Sequence, residues 1–235
     1  MPGPSMAMST EPRLAGLYRL LAWISPAFPT GGFSYSHGLE AAVADGAVHD
    51  RAGLQGWIAA VLAKGSGRVD ADIVRDVWRA AAAGDDTALA EANRRGCAYR
   101  ATAELALEAS QQGAAFVAAY EAAWAEAAGL FKSDNDAICY AAAFGAAAAQ
   151  ASIGLREALT GYLHAFAANL MSAGLRLGVI GQNDGQRILA ALEPVVAGAV
   201  EAAVARGAED FGAATFAADL ASMAHETQYS RLFRA

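Results

Sequence analysis

Leu155-Arg-Glu-Ala-Leu-Thr-Gly-Tyr-Leu-His-Ala-Phe-Ala-Ala-Asn-Leu-Met-Ser-Ala-Gly-Leu-Arg-Leu-Gly-Val-Ile180 decides the fold class. Leu155, Leu159, Tyr162, Leu163, Phe166 and Leu170 share one face at helical spacing, which predicts a helix over 155–180, the longest in the chain and central to it. The same period recurs on both sides. Leu14, Leu17, Leu20, Leu21 and Ile24 predict a first helix that Ser25-Pro26 stops. A short second helix is expected from about Tyr35 to Val43, with Ser34 or Ser36 as its cap. Asp50 caps a third that carries Leu54, Trp57, Ile58, Val61 and Leu62 and ends at Gly65 and Gly67. Ile73, Val77 and Trp78 mark a fourth, up to Gly84, and Asp85-Asp86 opens a segment through Leu89. Tyr99 to Tyr120 reads as one helix. Gly129 to Asp136 is a break, after which Ser133 or Asp134 caps an alanine-rich helix containing Ile138, Tyr140 and Phe144. Ile188, Leu192, Val195 and Val196 define another, which Pro194 either kinks or ends. A last helix starts near Glu209-Asp210. No segment alternates as a strand does. The expectation is an all-α, single-domain helical bundle of roughly ten helices. Residues 1–12 are expected as a disordered tail and 13–235 as the domain, with 224–235 a partner-docking segment.

Composition narrows the function. The chain has 235 residues, enough to bury a core without staples, and its 55% hydrophobic content is weighted to alanine, which lets helices pack closely. A net charge of −7 opposes binding to nucleic acid or to an anionic membrane surface. The most apolar run, Ala137 to Ala149, is shorter than the roughly 18 to 20 residues a bilayer requires. The first residues lack a basic leader and apolar core, so a cytoplasmic protein is expected. Cys97 and Cys139 stand far apart in the chain and are read as structural buried thiols.

The costliest irregularity is Ser25-Pro-Ala-Phe-Pro-Thr-Gly-Gly-Phe-Ser-Tyr-Ser-His-Gly-Leu-Glu40. Pro26 and Pro29 disfavour helix before them, and Gly31 and Gly32 open backbone angles closed to other residues. A simple helix connection needs about four to six residues, so this one reads as a binding surface, with Phe33, Tyr35 and His37 as contact groups. It is no phosphate loop, because the lysine that reaches phosphates is missing.

Elsewhere the chemistry is sparse. His37, His49, His164 and His225 lack the spacing of a metal pair. His164 reads as a core histidine, and His37 and His225 as candidates for transient metal contact. Tyr162, Asn169, Ser172 and Arg176 form a polar seam, either solvated or partnered. Gly181-Gln-Asn-Asp-Gly-Gln186 gathers amides at a helix start, where they either cap the helix or bind a partner. The end of the chain carries anchor-type residues suited to docking. No nucleophile with a base, carboxylate pair or cofactor fingerprint emerges, which argues against an enzyme.

Three segments together, 25–40, 181–186 and His225-Glu-Thr-Gln-Tyr-Ser-Arg-Leu-Phe-Arg234, resemble the UreF family of urease accessory proteins. The likeness extends from about Leu14 to the C-terminus and includes Tyr162-Leu-His-Ala-Phe166 and Leu192-Glu-Pro194. Phe28, Thr30 and Phe33 stand where the family commonly has Leu, Val and Tyr, and Ala224 where arginine is common. The resemblance implies an all-α homodimer that binds UreD (UreH in some systems) on the urease apoprotein and recruits the GTPase UreG for nickel insertion and metallocenter assembly. It implies no cofactor of the chain's own, with nickel in transit and GTP bound by the partner. An alternative role is regulator of UreG GTPase activity, as activator or gate. Pro29, Gly31, Gly32, Tyr35, Glu40 and Arg176 are the residues expected to engage the GTPase. His225, Glu226, Gln228, Tyr229, Arg231, Leu232 and Phe233 are expected to engage UreD/UreH. No catalytic or metal residue is expected.

Overall fold

The computed structural model describes residues 10–125, 129–131 and 137–234. Among them are ten α-helices: α1 (Thr10–Ile24), α2 (Leu39–Ala44), α3 (Arg51–Lys64), α4 (Ser66–Ala83), α5 (Asp86–Ala98), α6 (Ala103–Ala123), α7 (Tyr140–Gln150), α8 (Leu155–Arg176), α9 (Gln182–Ala205) and α10 (Phe216–Glu226). No strand occurs among the described residues, and the all-α bundle expected from periodicity is observed.

Alanine sets how closely these helices lie. In α7 every residue from Ala141 to Ala148 is buried, so this short helix runs through the core with neighbours on all sides, α4 and α6 chief among them. Gly113 of α6 lies where the chain just before α7 crosses, and a Cβ there would enter the Ile138 carbonyl oxygen. Because backbone cannot yield as a side chain can, Gly113→Ala is expected to cost about 3 kcal/mol, read as a lower thermal midpoint. An unchanged midpoint would show that the two segments separate freely.

Aromatic rings fill the wider gaps. Trp23 is 1% exposed and meets Phe116, Tyr120, Trp124 and Phe144 edge-on at centroid distances of 5.5–6.5 Å, the geometry that ring quadrupoles favour. Among the described residues, buried charges have partners. Asp72, fully buried on α4, accepts from Arg75 at 3.1 Å and Arg206 at 2.6 Å, which ties α4 to the end of α9.

Several boundaries differ from expectation for local reasons. The second helix starts at Leu39, because His37 and Gly38 adopt left-handed angles, φ 58° and 76°. Gly38 takes its N-cap position, although the Ser36 hydroxyl accepts the Glu40 N–H at 3.4 Å. Gly65 alone separates α3 from α4, and Gly67 lies inside α4. The stretch from Tyr99 is not one helix: Thr102 is extended and its hydroxyl caps the Leu105 N–H at 3.2 Å, so α6 begins afresh. The longest helix is α9, at 24 residues against 22 for α8. Pro194 does not end it, because Pro194 and Ala190 are both exposed and water can take the carbonyl that proline leaves unbonded. Glu209-Asp210 form a single 3₁₀ turn, and the last helix waits until Phe216. The helix holding Tyr140 and Phe144 has Cys139 at its cap, while Ser133 and Asp134 lie outside the described residues, as does the tail before Thr10.

By length and composition alone α9 is apolar enough to cross a membrane. It is nonetheless interrupted by Glu193 and Glu201, packs on α8 and α3, and ties Glu201 to Arg156 of α8.

Candidate partner-docking site

The turn between α1 and α2 is held from below by the polar seam of α8. Asn169 donates to the Tyr35 carbonyl at 3.3 Å, Arg176 donates to the Phe33 carbonyl, and Tyr162 donates to Asp70 at 2.8 Å. Of that seam, Tyr162, Asn169 and Arg176 therefore have partners within this chain. Tyr35 is buried with its hydroxyl on Gln111 of α6 at 2.7 Å, while Pro29 and Phe33 are exposed. Gly31 takes φ 74° with nothing near its missing Cβ, so it serves the turn's curvature.

Gly38 serves packing as well. A Cβ there would lie 2.7 Å from the Ser222 backbone nitrogen, which is where α10 crosses α2. That crossing carries the C-terminal segment onto the turn. Glu40 is buried: one carboxylate oxygen accepts the Leu232 N–H at 2.6 Å, and the other accepts the Phe233 N–H at 2.9 Å and His225 Nε2 at 3.0 Å. The opposite ring nitrogen of His225 meets Glu104 at 2.7 Å, and Arg231 reaches the other Glu104 oxygen at 2.7 Å. Carboxylates only accept, so a His225 that satisfies both must donate from both nitrogens. His225 thus bridges two buried carboxylates, while Arg231 reaches Glu104 from the more exposed side. Burial pushes the Glu40 carboxyl up, but the two N–H groups and His225 outweigh it and hold it below its usual range.

The rest of the tail lies on the same body. Phe233 is buried, with the Arg176 guanidinium 4.2 Å above its ring, and the Arg234 N–H donates to the Ser34 carbonyl at 2.8 Å. Glu226 accepts the Ala103 N–H at 2.9 Å, placing a carboxylate at the N-terminus of α6. Gln228 folds onto the Ser230 carbonyl at 2.9 Å. Tyr229 and Leu232 are the exposed large apolar side chains of the tail, and Phe216, Leu220 and Met223 are exposed at helical spacing on α10 just before it.

The structure thus unites two segments that the sequence analysis read separately. It also moves Glu40 and His225 inside, where both are satisfied by this chain and not by solvent. His225 has no nitrogen left for a metal, and among the described residues no group of three or more His, Cys, Asp or Glu could hold one. His164 is exposed and not a core residue. The 181–186 cluster forms the first turn of α9 with Gly181 at the N-cap and no side-chain cap hydrogen bond, and Asp184 is paired to Arg187 at 2.9 Å. Glu104 and Glu108, missed in the sequence, were signalled by two carboxylates one turn apart on a polar stripe that Gln111 and Gln112 continue along an otherwise alanine-rich helix.

Glu108 holds the second histidine. His37 Nδ1 lies 2.8 Å from it, and Gln112 donates to its other oxygen at 2.8 Å. Behind the turn lies a cavity of about 640 Å³ lined partly by His37, Asp70, Arg100 and Tyr140. Burial alone would lower the His37 pKa, but the Glu108 charge and hydrogen bond prevail and raise it above 6.5. A raised native value means stabilisation that is complete below the unfolded pKa and lost as pH rises through the folded one. The stability gap between wild type and His37→Gln is therefore expected to shrink as pH rises above the unfolded value of 6.5 and through the raised native one, followed by urea unfolding. A gap that widens with pH would contradict the pairing.

A family model described as UreF matches residues 48–193. A urease accessory protein UreF of Granulibacter bethesdensis is 48% identical over 222 residues, 94% of each chain. This chain belongs to the UreF family. The UreF of Bradyrhizobium sp. strain ORS 278 is 46% identical over 233 residues, covering 98% of this chain and 96% of its own. That of Agrobacterium fabrum is 47% identical over 227 residues, covering 97% and 100%. Membership identifies a urease accessory protein, an adaptor of chaperone type and not an enzyme.

Proposed function

We propose that this UreF-family chain is the adaptor that, with UreD/UreH, recruits the GTPase UreG to the urease apoprotein and couples GTP hydrolysis to nickel insertion. The observation that carries this reading is the joining of the 25–40 turn and the C-terminal segment through Glu40, beside the exposed side chains Phe216, Leu220, Met223, Tyr229 and Leu232. Exposed large apolar side chains gathered on α10 and the tail that follows it are the kind of surface a partner covers. Tyr229 and Leu232 are the anchors offered to UreD/UreH, while His225, Glu226, Arg231 and Phe233 hold the segment in place. On the turn, Pro29, Gly31 and Gly32 shape the face offered to UreG, and Tyr35, Glu40 and Arg176 fix it from within.

In this reading the chain acts by position. Nickel is cargo and GTP belongs to UreG. A second stripe, Leu14, Leu17, Tyr18 and Leu21 on α1, is also exposed, and a homodimer would cover apolar surface of this kind. Arg176 bears on the regulatory alternative. An arginine that activates a GTPase must reach the transferring phosphate, whereas this one is engaged by Phe33 and Phe233. Positioning is the better-supported role.

The test is reconstitution. The purified chain should retain UreD/UreH and UreG in pull-downs, and its omission should leave the urease apoprotein short of nickel. Full nickel loading without it would sink the proposal. Arg176→Ala should lower UreG retention, with turnover falling only as far as occupancy does. A turnover loss at saturating UreG would instead favour the activator.

A further inference from the structure

Two cysteines far apart in the chain meet at one buried junction. Cys97 lies near the end of α5 and Cys139 at the cap of α7, and both are reduced. Asn93, one turn before Cys97, organises the meeting. Its side-chain oxygen accepts the Cys139 N–H at 3.0 Å, and its amide donates to the Ala137 carbonyl at 2.9 Å. That same carbonyl accepts the Cys97 thiol at 3.3 Å. The Cys139 sulfur fills the notch at Gly96, where a Cβ would stand 2.7 Å from it. Contact with the Cys97 thiol, then burial, pushes the Cys139 pKa well up, while the Arg100 charge pulls the other way and favours its thiolate. Cys97 is half-buried and Cys139 fully buried.

We propose that Cys97 and Cys139 are a reversible modification site, a dithiol that low-molecular-weight disulfides of the glutathione type oxidise to an intramolecular disulfide. The asymmetry in exposure assigns the order. Cys97 loses its proton to water and its thiolate attacks one sulfur of the small disulfide, releasing one thiolate that takes up a proton. Cys139, deprotonated in turn, attacks the Cys97 sulfur and releases the second small thiol. Two protein thiols are oxidised, and one small disulfide is reduced to two thiols. The bond to be formed is about 2.05 Å long, and Asn93 and Gly96 already hold the two residues side by side. The loop so closed, residues 98–138, contains all of α6, the helix that supplies Glu104 to His225 and Glu108 to His37. Oxidation would therefore close a covalent loop that includes the helix against which the turn and the tail are assembled.

The test uses the full native chain with oxidised glutathione, followed by alkylation and non-reducing peptide mapping. The expected product is a monomer lighter by two hydrogens, with one linked Cys97–Cys139 peptide, no alkylatable thiol, and full reversal by dithiothreitol. Cys139→Ser should stop at a stable glutathione adduct on Cys97, and Cys97→Ser should leave Cys139 unmodified under native conditions. Because closure needs the Cys139 thiolate, its rate should rise with pH. A wild-type chain that stops at a Cys97 adduct, links between chains, or keeps both thiols alkylatable would overturn the assignment.

Discussion

Glu40→Ala should release the C-terminal segment and cost about 3 kcal/mol of stability, a large effect for a residue in a six-residue helix. The carboxylate accepts from His225 and from two backbone N–H groups, at 2.6–3.0 Å. Removing it leaves His225 with one carboxylate in place of two and two donors unpaired beside an apolar wall. Each orphaned donor costs roughly 1–3 kcal/mol if it stays buried. The chain can avoid part of that cost by letting residues 228–234 swing into water, so the full sum is not reached. Trypsin should then cut at Arg231 and Arg234 well before it cuts the bundle. Glu40→Gln keeps an acceptor and loses the charge, and should fall between wild type and alanine. Acid should act in the same direction: a lowered native carboxyl stabilises above its unfolded value, about 4.5, and that contribution disappears as pH falls through the native one. A Glu40→Ala chain with wild-type urea midpoint and a protease-resistant tail would contradict this.

Gly38→Ala should be comparably damaging and by a different route. The backbone sits at φ 76°, which costs an L-residue about 1 kcal/mol. The added Cβ also meets Ser222 N at 2.7 Å, Ser222 Cα at 3.0 Å and Ala218 O at 3.2 Å, all of them backbone atoms of α10. To make room α10 must retreat, stretching the 2.8 Å contact between Thr102 and Ser222 and drawing His225 away from its carboxylates. The expected loss is about 3 kcal/mol. Gly31→Ala supplies the control: φ is nearly the same, 74°, but nothing lies within 4 Å, so only the strain of about 1 kcal/mol is expected. Equal melting points for the two variants would show that α10 does not press on Gly38.

Much of the bundle was legible because its signals are local. Asp50 and Asp85 accept the N–H groups three residues on, at 2.8 and 3.0 Å, as capping residues before apolar periods should. Periodicity likewise placed α1, α3, α4 and α8. It failed at Tyr99–Thr102, where the apolar pattern runs on and only the extended backbone of Thr102 makes the break. It failed again at Pro194, whose tolerance depends on facing solvent. The site was legible as segments but not as an assembly. Nothing in the spacing says that Glu40 turns inward to a histidine 185 residues later, or that Cys97 and Cys139 touch. Those facts arise from helix crossings at Gly38 and Gly96, set by shape complementarity across the core, which a lone sequence does not display.

Affinities of the Phe233→Ala chain for UreD/UreH and for UreG, each measured against wild type, bear most directly on whether turn and tail act as one docking unit. Phe233 sits beneath Arg176 and gives its N–H to Glu40, so it touches the turn proposed to meet UreG while belonging to the segment proposed to meet UreD/UreH. If the two are one unit, both affinities fall, and Glu40→Ala reproduces the pattern. If UreG binds the Phe233→Ala chain as tightly as wild type while UreD/UreH binding is lost, turn and tail are separate surfaces and the central proposal is wrong.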